Sequence, residues 1–490
     1  MKRLPGPTDH VVVVGAGLSG LSATLHLLGA GRRVTVLERD PHPGGRVGRL
    51  DIDGFRIDTG PTVLTMPDLL EEALAAVGGS LAPLGLTRLA PAYRALFADG
   101  STLDVHSDSA TMEAEVHRFA GAHQTAGYRR LRDWLCELYR VEFDRFIAAN
   151  FDSPLELLRP ALARLVAMGA FRRLDNAIGR FLHDERLQRV FSFQSLYAGL
   201  PPQRALAVYA VIAYMDTIAG VYTPRGGMRR VPEVMAEAAG GAGAEFRYGT
   251  EVTRLEQAGG RIVAVRTANG ERIPCDAVIL TPDLPVAYRL LGRAPRRPLP
   301  LRWSPSAVVL HLTTPRSATT PAQHTISFGQ AWRRTFTEII RDGKLMTDPS
   351  LLVTTPTVTD PALAPEGQHL HYVLAPCPNL AVGRRIAWDS VGPAYAEDVR
   401  QILVERGLPG AGGELLHHVT PLDWAAAGHG AGTPFSVAHT FTQTGPFRPR
   451  NLVRGVANAV LAGCGTTPGV GVPTTVVSGR LAAQRVIGSH

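Results

Sequence analysis

The chain has 490 residues, 45% hydrophobic and 19% charged, with a formal net charge of +8. Length allows about two to four domains' worth of core, and the composition is that of a soluble or peripherally attached globular protein. Its arginines are dispersed and no nucleic-acid-binding module is present, so the surplus charge suits either anionic lipid headgroups or plain solubility, with no nucleic acid partner.

The N-terminus, MKRLPGPTDH, lacks the apolar stretch of an export signal, which points to the cytoplasm. Val11–Val14 then reads as a buried parallel strand, followed by Gly15, Gly17 and Gly20 in G-x-G-x-x-G spacing. The first glycine permits the tight turn, the second lets backbone approach a pyrophosphate, and the third lets helix pack closely on strand. Leu18, Leu21, Leu25 and Leu28 give the next segment a helical stripe, which stops at Gly29–Gly31. Val34–Leu37 is the second strand, and Glu38 at its end is placed to accept hydrogen bonds from an adenosine ribose. The unit is therefore a dinucleotide-binding βαβ.

Residues 110–220 read mainly as helices. Within them, Leu155, Leu158, Leu162 and Leu165 form one stripe, and Leu174, Ile178 and Phe181 another beyond Gly169. Arg159, Arg164, Arg172, Arg173 and Arg180 punctuate both stripes. Such short basic amphipathic helices suit either a membrane interface or a cap on the core with snorkelling arginines. The longest apolar run, Ala205 to Met215, is too short to span a bilayer and ends at Asp216. From Phe246 to Leu280 the pattern turns to short strands, with turns at Gly259–Gly260 and Asn269–Gly270 and a buried strand over Cys275–Leu280. A proline-rich stretch, 294–305, follows, and the chain ends in the glycine-rich LAGCGTTPGVGVPTTVVSG, Leu461–Gly479.

Gly44–Gly45–Arg46 and Asp58–Thr59–Gly60–Pro61 resemble the FAD-binding N-terminus of the flavin amine oxidase and phytoene desaturase superfamily. Phe191–Gly199, Tyr222–Met228 (YTPRGGM), Pro349–Ala364, Phe447–Asn451 (FRPRN) and the Leu461–Gly479 motif resemble the phytoene desaturases themselves, flavoenzymes that lengthen carotenoid conjugation. Departures from that family's pattern stand at Cys464 and at Thr474–Thr475.

The resemblance implies an α/β fold built on a Rossmann-like FAD domain of the amine oxidase/glutathione reductase type, discontinuous in sequence (residues 1–90, 221–285 and 446–490). It implies a mixed α+β substrate domain over 286–445 and a helical, membrane-associating region over 91–220. The cofactor is FAD, held by Gly15, Gly17, Leu18, Gly20, Glu38, Arg39, Gly44, Gly45, Arg46, Gly60, Pro61, Thr62, Val252, Gly463, Gly465, Gly471, Val472 and Pro473, with Arg46 as the phosphate-facing cation. Pro473 begins a helix whose amides face the flavin's pyrimidine end.

The implied activity is desaturation of phytoene towards neurosporene or lycopene. Related polyenes are the alternatives: a diapophytoene desaturase, a hydroxycarotenoid 3,4-desaturase or a ketolase. The middle-region matches disfavour an amine or protoporphyrinogen oxidase, and the retained glycines and Arg46 disfavour a prenyl-binding protein of the Rab escort type. Phe191, Phe193 and Tyr197 are candidates to line a polyene tunnel, or core aromatics. Asp216 and Arg225 stand open between chemistry and structure, and no catalytic base is assigned.

No second G-x-G-x-x-G follows a strand, because Gly241–Gly243 lacks both the strand and the third glycine. Electrons must then leave to a diffusible acceptor, quinone or oxygen. Cys136, Cys275, Cys377 and Cys464 lie far apart, and His369/His371 and His417–His418 lack a third ligand, so reduced thiols, structural histidines and no metal are expected.

Overall fold

The computed structural model describes residues 1–157, 160–294, 297, 299–316 and 321–488. Its first sheet has five parallel strands in the order Ala459–Leu461, Ala277–Leu280, His10–Val14, Arg33–Leu37, Glu245–Arg247. Val13 sits in register with Ile279 on one side and Val36 on the other. Alternation sorts the strand's two faces. Val11 and Val13 pack with the helices Leu18–Gly29, Arg230–Gly241 and Val472–Ile487. Val12 and Val14 pack beneath an antiparallel sheet of Val252–Ala258, Arg261–Thr267 and Arg272–Pro274. The first and last of those helices are joined where Ser22 Oγ donates to Val476 O at 2.7 Å.

A second sheet of seven strands runs in the order Glu414–Val419, Ser306–Pro315, Gln368–Cys377, Leu351–Thr354, His324–Phe328, Tyr93–Phe97, Thr102–Val105. All neighbours are antiparallel except His324–Phe328 with Tyr93–Phe97. Val308, Leu310 and Leu312 turn to the helix Trp388–Glu405, whereas Ala307 and Val309 turn to the opposite face. That opposite face is one wall of the site described below.

The helical region starts with Ser109–Glu142, bent at Gly121 (φ 80°), and continues as short helices and turns up to Gly220. The leucine stripe expected over 155–165 is broken. Leu155 is 72% exposed while Leu165 is 1% exposed, because Pro154–Leu157 is a 3₁₀ turn and Pro160 opens a separate helix, Pro160–Ala167. The helix Leu174–Gly179 buries Leu174 and Ile178, and Phe181 lies beyond its end against Trp134, centroids 5.7 Å apart. Leu158 and Arg159 of that segment, and Pro295, Arg296 and Pro298 of the proline-rich connection, lie outside the described residues. No helix among the described residues is long and apolar enough to cross a membrane.

Candidate functional site

The carboxyl ends of the parallel strands carry the first half of the site. After His10–Val14 the chain turns through Gly15–Ala16–Gly17 into the helix Leu18–Gly29, and Gly17 forms a bridge with Gly44. Glu38 holds this loop in shape. Its Oε2 accepts from Ala16 N at 2.6 Å and its Oε1 from Asp40 N at 2.9 Å. Arg46 Nη2 lies 3.4 Å from Asp283 Oδ2, yet Arg46 Nε and Nη2 are buried with no hydrogen-bond partner among the described residues. A guanidinium left partly unmet beside a helix N-terminus suits an anion such as a pyrophosphate. Asp283 follows the strand Ala277–Leu280, and the position just past a parallel strand was the signal that could have found it.

The C-terminal glycine motif closes over the same space. Arg448, 1% exposed, holds it by donating to Thr466 O, Gln443 O, Val437 O and Cys464 O at 2.9, 3.3, 3.2 and 2.5 Å. Burial pulls its guanidinium down to about 10, still cationic at neutral pH. Two of the positions that depart from the family pattern meet here, with Cys464 Sγ 3.2 Å from Thr475 Oγ1.

A continuous cavity of about 880 Å³ runs from these loops to the second sheet and the helical region. Every residue expected to hold the cofactor lines it except Gly20 and Gly465. Gly20 packs against the loop, where a Cβ would come 2.0 Å from Gly15 O, and Gly465 packs on Leu284, 2.5 Å from its Cγ by the same measure. Apolar walls continue the cavity through Val309, Leu352 and Leu374 of the second sheet and Phe146, Val211 and Met215 of the helical region. Phe171, Phe441 and Phe447 line it too and are 40%, 64% and 37% exposed, so they mark its mouth.

Tyr197 borders the cavity, but Phe191 and Phe193 do not. Phe191 packs on Tyr128, and Phe193 is wedged edge-on against Tyr93 and Phe328, so both are core aromatics. Arg225 is exposed and away from the cavity. His369 and His371 share a face and are occupied by Thr357 and Thr355, each at 2.9 Å, while His417 stacks on His311. Among the titratable groups on the apolar part of the wall are Asp216, Glu142 and His439. Burial raises both carboxyls, Asp216 to about 7, and holds the His439 imidazole well below its usual value. Glu142 and His439 each stand alone in the sequence, with no local motif to single them out.

Residues 18–487 match the family described as flavin containing amine oxidoreductase. The chain is 67% identical to the phytoene dehydrogenase of Streptomyces griseus, covering 100% of this chain and 97% of that one. It is 35% identical to a zeta-carotene-forming phytoene desaturase of Myxococcus xanthus, covering 98% and 94%. A solved oxidoreductase from Methanosarcina mazei shares the fold at 17% identity and a TM-score of 0.62, over 96% of this chain and 99% of that one. The glycine loops, the buried cation and the cavity they open onto thus belong to an FAD-dependent oxidoreductase, a member of the flavin containing amine oxidoreductases and, within them, of the phytoene desaturase family.

Proposed function

We propose that this chain desaturates phytoene by successive hydride transfers to FAD, carrying it towards neurosporene or lycopene. The observation that carries the reading is the single cavity joining the dinucleotide loops to long apolar walls. A hydrocarbon offers neither charge nor hydrogen bonds, so it must be positioned by apolar burial, contributing about 25 cal/mol for each Å² removed from water. FAD supplies a hydride acceptor for an allylic carbon. The residues that would hold it are those named above, from Gly15 and Gly17 through Arg46 to Gly471 and Pro473, with residues 1–90, 221–285 and 446–490 as its domain. The walls around Leu352, Leu374 and Tyr197 would align the chain's allylic carbons and exclude water from the cationic stage of the reaction.

The mouth supports a peripheral membrane association on the cytoplasmic side. Phe171, Phe441 and Phe447 combine exposure with cavity lining, and Leu155 and Val166 add 72% and 59% exposed apolar side chains on the neighbouring helical segment. Arg297 stands over this rim, donating to Thr442 O and Phe447 O. A lipid-dissolved substrate would enter here, and electrons would leave to quinone or oxygen.

The test is pigment analysis of a phytoene-making bacterial host with and without this chain, by chromatography with absorption spectra. A coloured polyene replacing phytoene is expected, and its absorption maximum counts the double bonds made. Unchanged phytoene, with an FAD-loaded protein in hand, would overturn phytoene as substrate and direct the test to C30 and hydroxylated carotenoids.

A further inference from the structure

Asp216 is a carboxyl that neither packing nor hydrogen bonding explains. It sits in the π-helical turn Met215–Ala219, a distortion that often marks functional positions. The turn is backed by Tyr214, stacked on Tyr139 with ring centroids 4.2 Å apart. The side chain has no hydrogen-bond or ion-pair partner among the described residues, and its remaining 8% exposure lies on the cavity wall. Its neighbours there are apolar (Val211, Ile212, Met215) or aromatic (Tyr197). A carboxyl stripped of water and partners is costly to the fold, and a hydrocarbon substrate gives it nothing to bind. Glu142, the other carboxyl on this wall, is as little exposed at 7%, but its Oε2 is sealed away without a partner, whereas neither Asp216 oxygen is sealed in this way.

We infer that Asp216 is the proton acceptor of the desaturation, an assignment that rests on the desaturase reading above. As a hydride leaves one allylic carbon, the C–H bond on the neighbouring carbon breaks. Its electron pair becomes the second bond of the new C=C, and its proton passes to an Asp216 carboxylate oxygen. FAD is the two-electron oxidant, and the proton returns to solvent between steps. A C–H beside a carbocation is acidic, so a carboxylate is base enough. Burial sets this one near the working pH, at about 7. Tyr93 and Tyr197 are the titratable groups that feel its charge, and both remain neutral there because burial raises them further.

The test compares full-length wild type, Asp216→Asn and Asp216→Glu, each loaded with FAD, on phytoene in vesicles. Flavin absorbance per protein and melting temperature are read beside rate. Asp216→Asn is expected to keep wild-type FAD content and at least the wild-type melting temperature while slowing phytoene consumption about a hundredfold or more. Asp216→Glu should recover part of the rate. Wild-type rate should rise with pH through about 7, because the ionised form accepts the proton, and the residual rate of Asp216→Asn should lose that rise. Equal rates for wild type and Asp216→Asn overturn the assignment and leave the desaturase reading intact. So does a flat wild-type pH profile, which decides the matter even where a variant fails to fold. A wild type that binds FAD and leaves phytoene unchanged overturns the desaturase reading, and the acceptor with it.

Discussion

Asp58 and Met228, 170 residues apart, are joined by a 2.7 Å hydrogen bond from Met228 N–H to Asp58 Oδ2, and Arg229 N–H donates to Oδ1 at 3.1 Å. One carboxylate thus fastens the D-T-G-P segment to the P-R-G-G-M segment, two stretches that bear the family resemblance in different parts of the chain. Burial raises this carboxyl to about 6, against the pull of the two amides. Gly227 makes the approach possible, since a Cβ there would stand 2.8 Å from Asp58 Oδ2 on a residue with φ +85°. Gly227→Ala is expected to destabilise the fold by roughly 2 kcal/mol and to lower FAD content, read by thermal melting and flavin absorbance.

Arg46 carries the second prediction. Two of its buried nitrogens have no hydrogen-bond partner among the described residues, and Asp283, which flanks it, is itself committed to Gly430 N and Ser436 Oγ. Arg46→Met should therefore weaken FAD binding about 10- to 100-fold, the worth of a charge-assisted hydrogen bond, with the fold retained. Flavin released on gel filtration measures it. Full FAD retention by the variant would show that the cation serves only Asp283.

Arg448 should behave differently, because its four acceptors are backbone carbonyls of the loops themselves. Arg448→Met leaves those carbonyls buried and unmet, at a cost of at least about 3 kcal/mol. Melting temperature and FAD content should fall together, and excess FAD should not restore the melting point. Arg448→Lys reaches fewer of the acceptors and should fall between the two.

At the cavity mouth, Phe441 and Phe447 lie with ring centroids 5.8 Å apart, Phe441 being 64% exposed. Paired Phe171→Ser and Phe441→Ser changes should reduce binding to anionic vesicles several-fold while leaving FAD content and melting temperature unchanged. Undiminished vesicle sedimentation would remove this rim from the membrane contact.

The contrast between Val13 and Val309 shows where the sequence could be read and where it could not. Val13 lies in a glycine-punctuated βαβ whose spacing encodes its own geometry, and so the parallel core and its loops follow from local pattern. Val309 lies in SAVVLHL, buried on both faces, where residues facing the cavity and residues facing the helix Trp388–Glu405 are equally apolar. Alternation alone does not say which face is hollow. Phe191, Phe193 and Tyr197 pose the same difficulty. Their chemistry is alike, and only the tertiary packing sends two into the core and one to the wall. The leucines of 155–165 misled for a local reason, because Leu155 lies in the 3₁₀ turn that Pro154 opens and Pro160 starts a new helix before Leu162 and Leu165.

Asp216 also makes a prediction about stability with a fixed sign. Its pKa stands at about 7 in the fold, against 3.8 as the ordinary value, and burial is the cause. Between those two values the folded chain holds a proton that the unfolded chain has lost, so this group's contribution falls as pH rises across that window and is constant outside it. Asp216→Leu removes the titration and the buried polar atoms together. The variant should gain melting temperature over wild type, with a difference that grows from about pH 4 to about pH 7 and then levels. Parallel melts across that range, FAD present throughout, measure it. A difference that stays constant with pH would mean that the carboxyl is hydrated in the folded enzyme. A difference that grows as expected would identify Asp216 as a residue that costs stability, so its retention in the cavity wall has to be explained by activity rather than by folding.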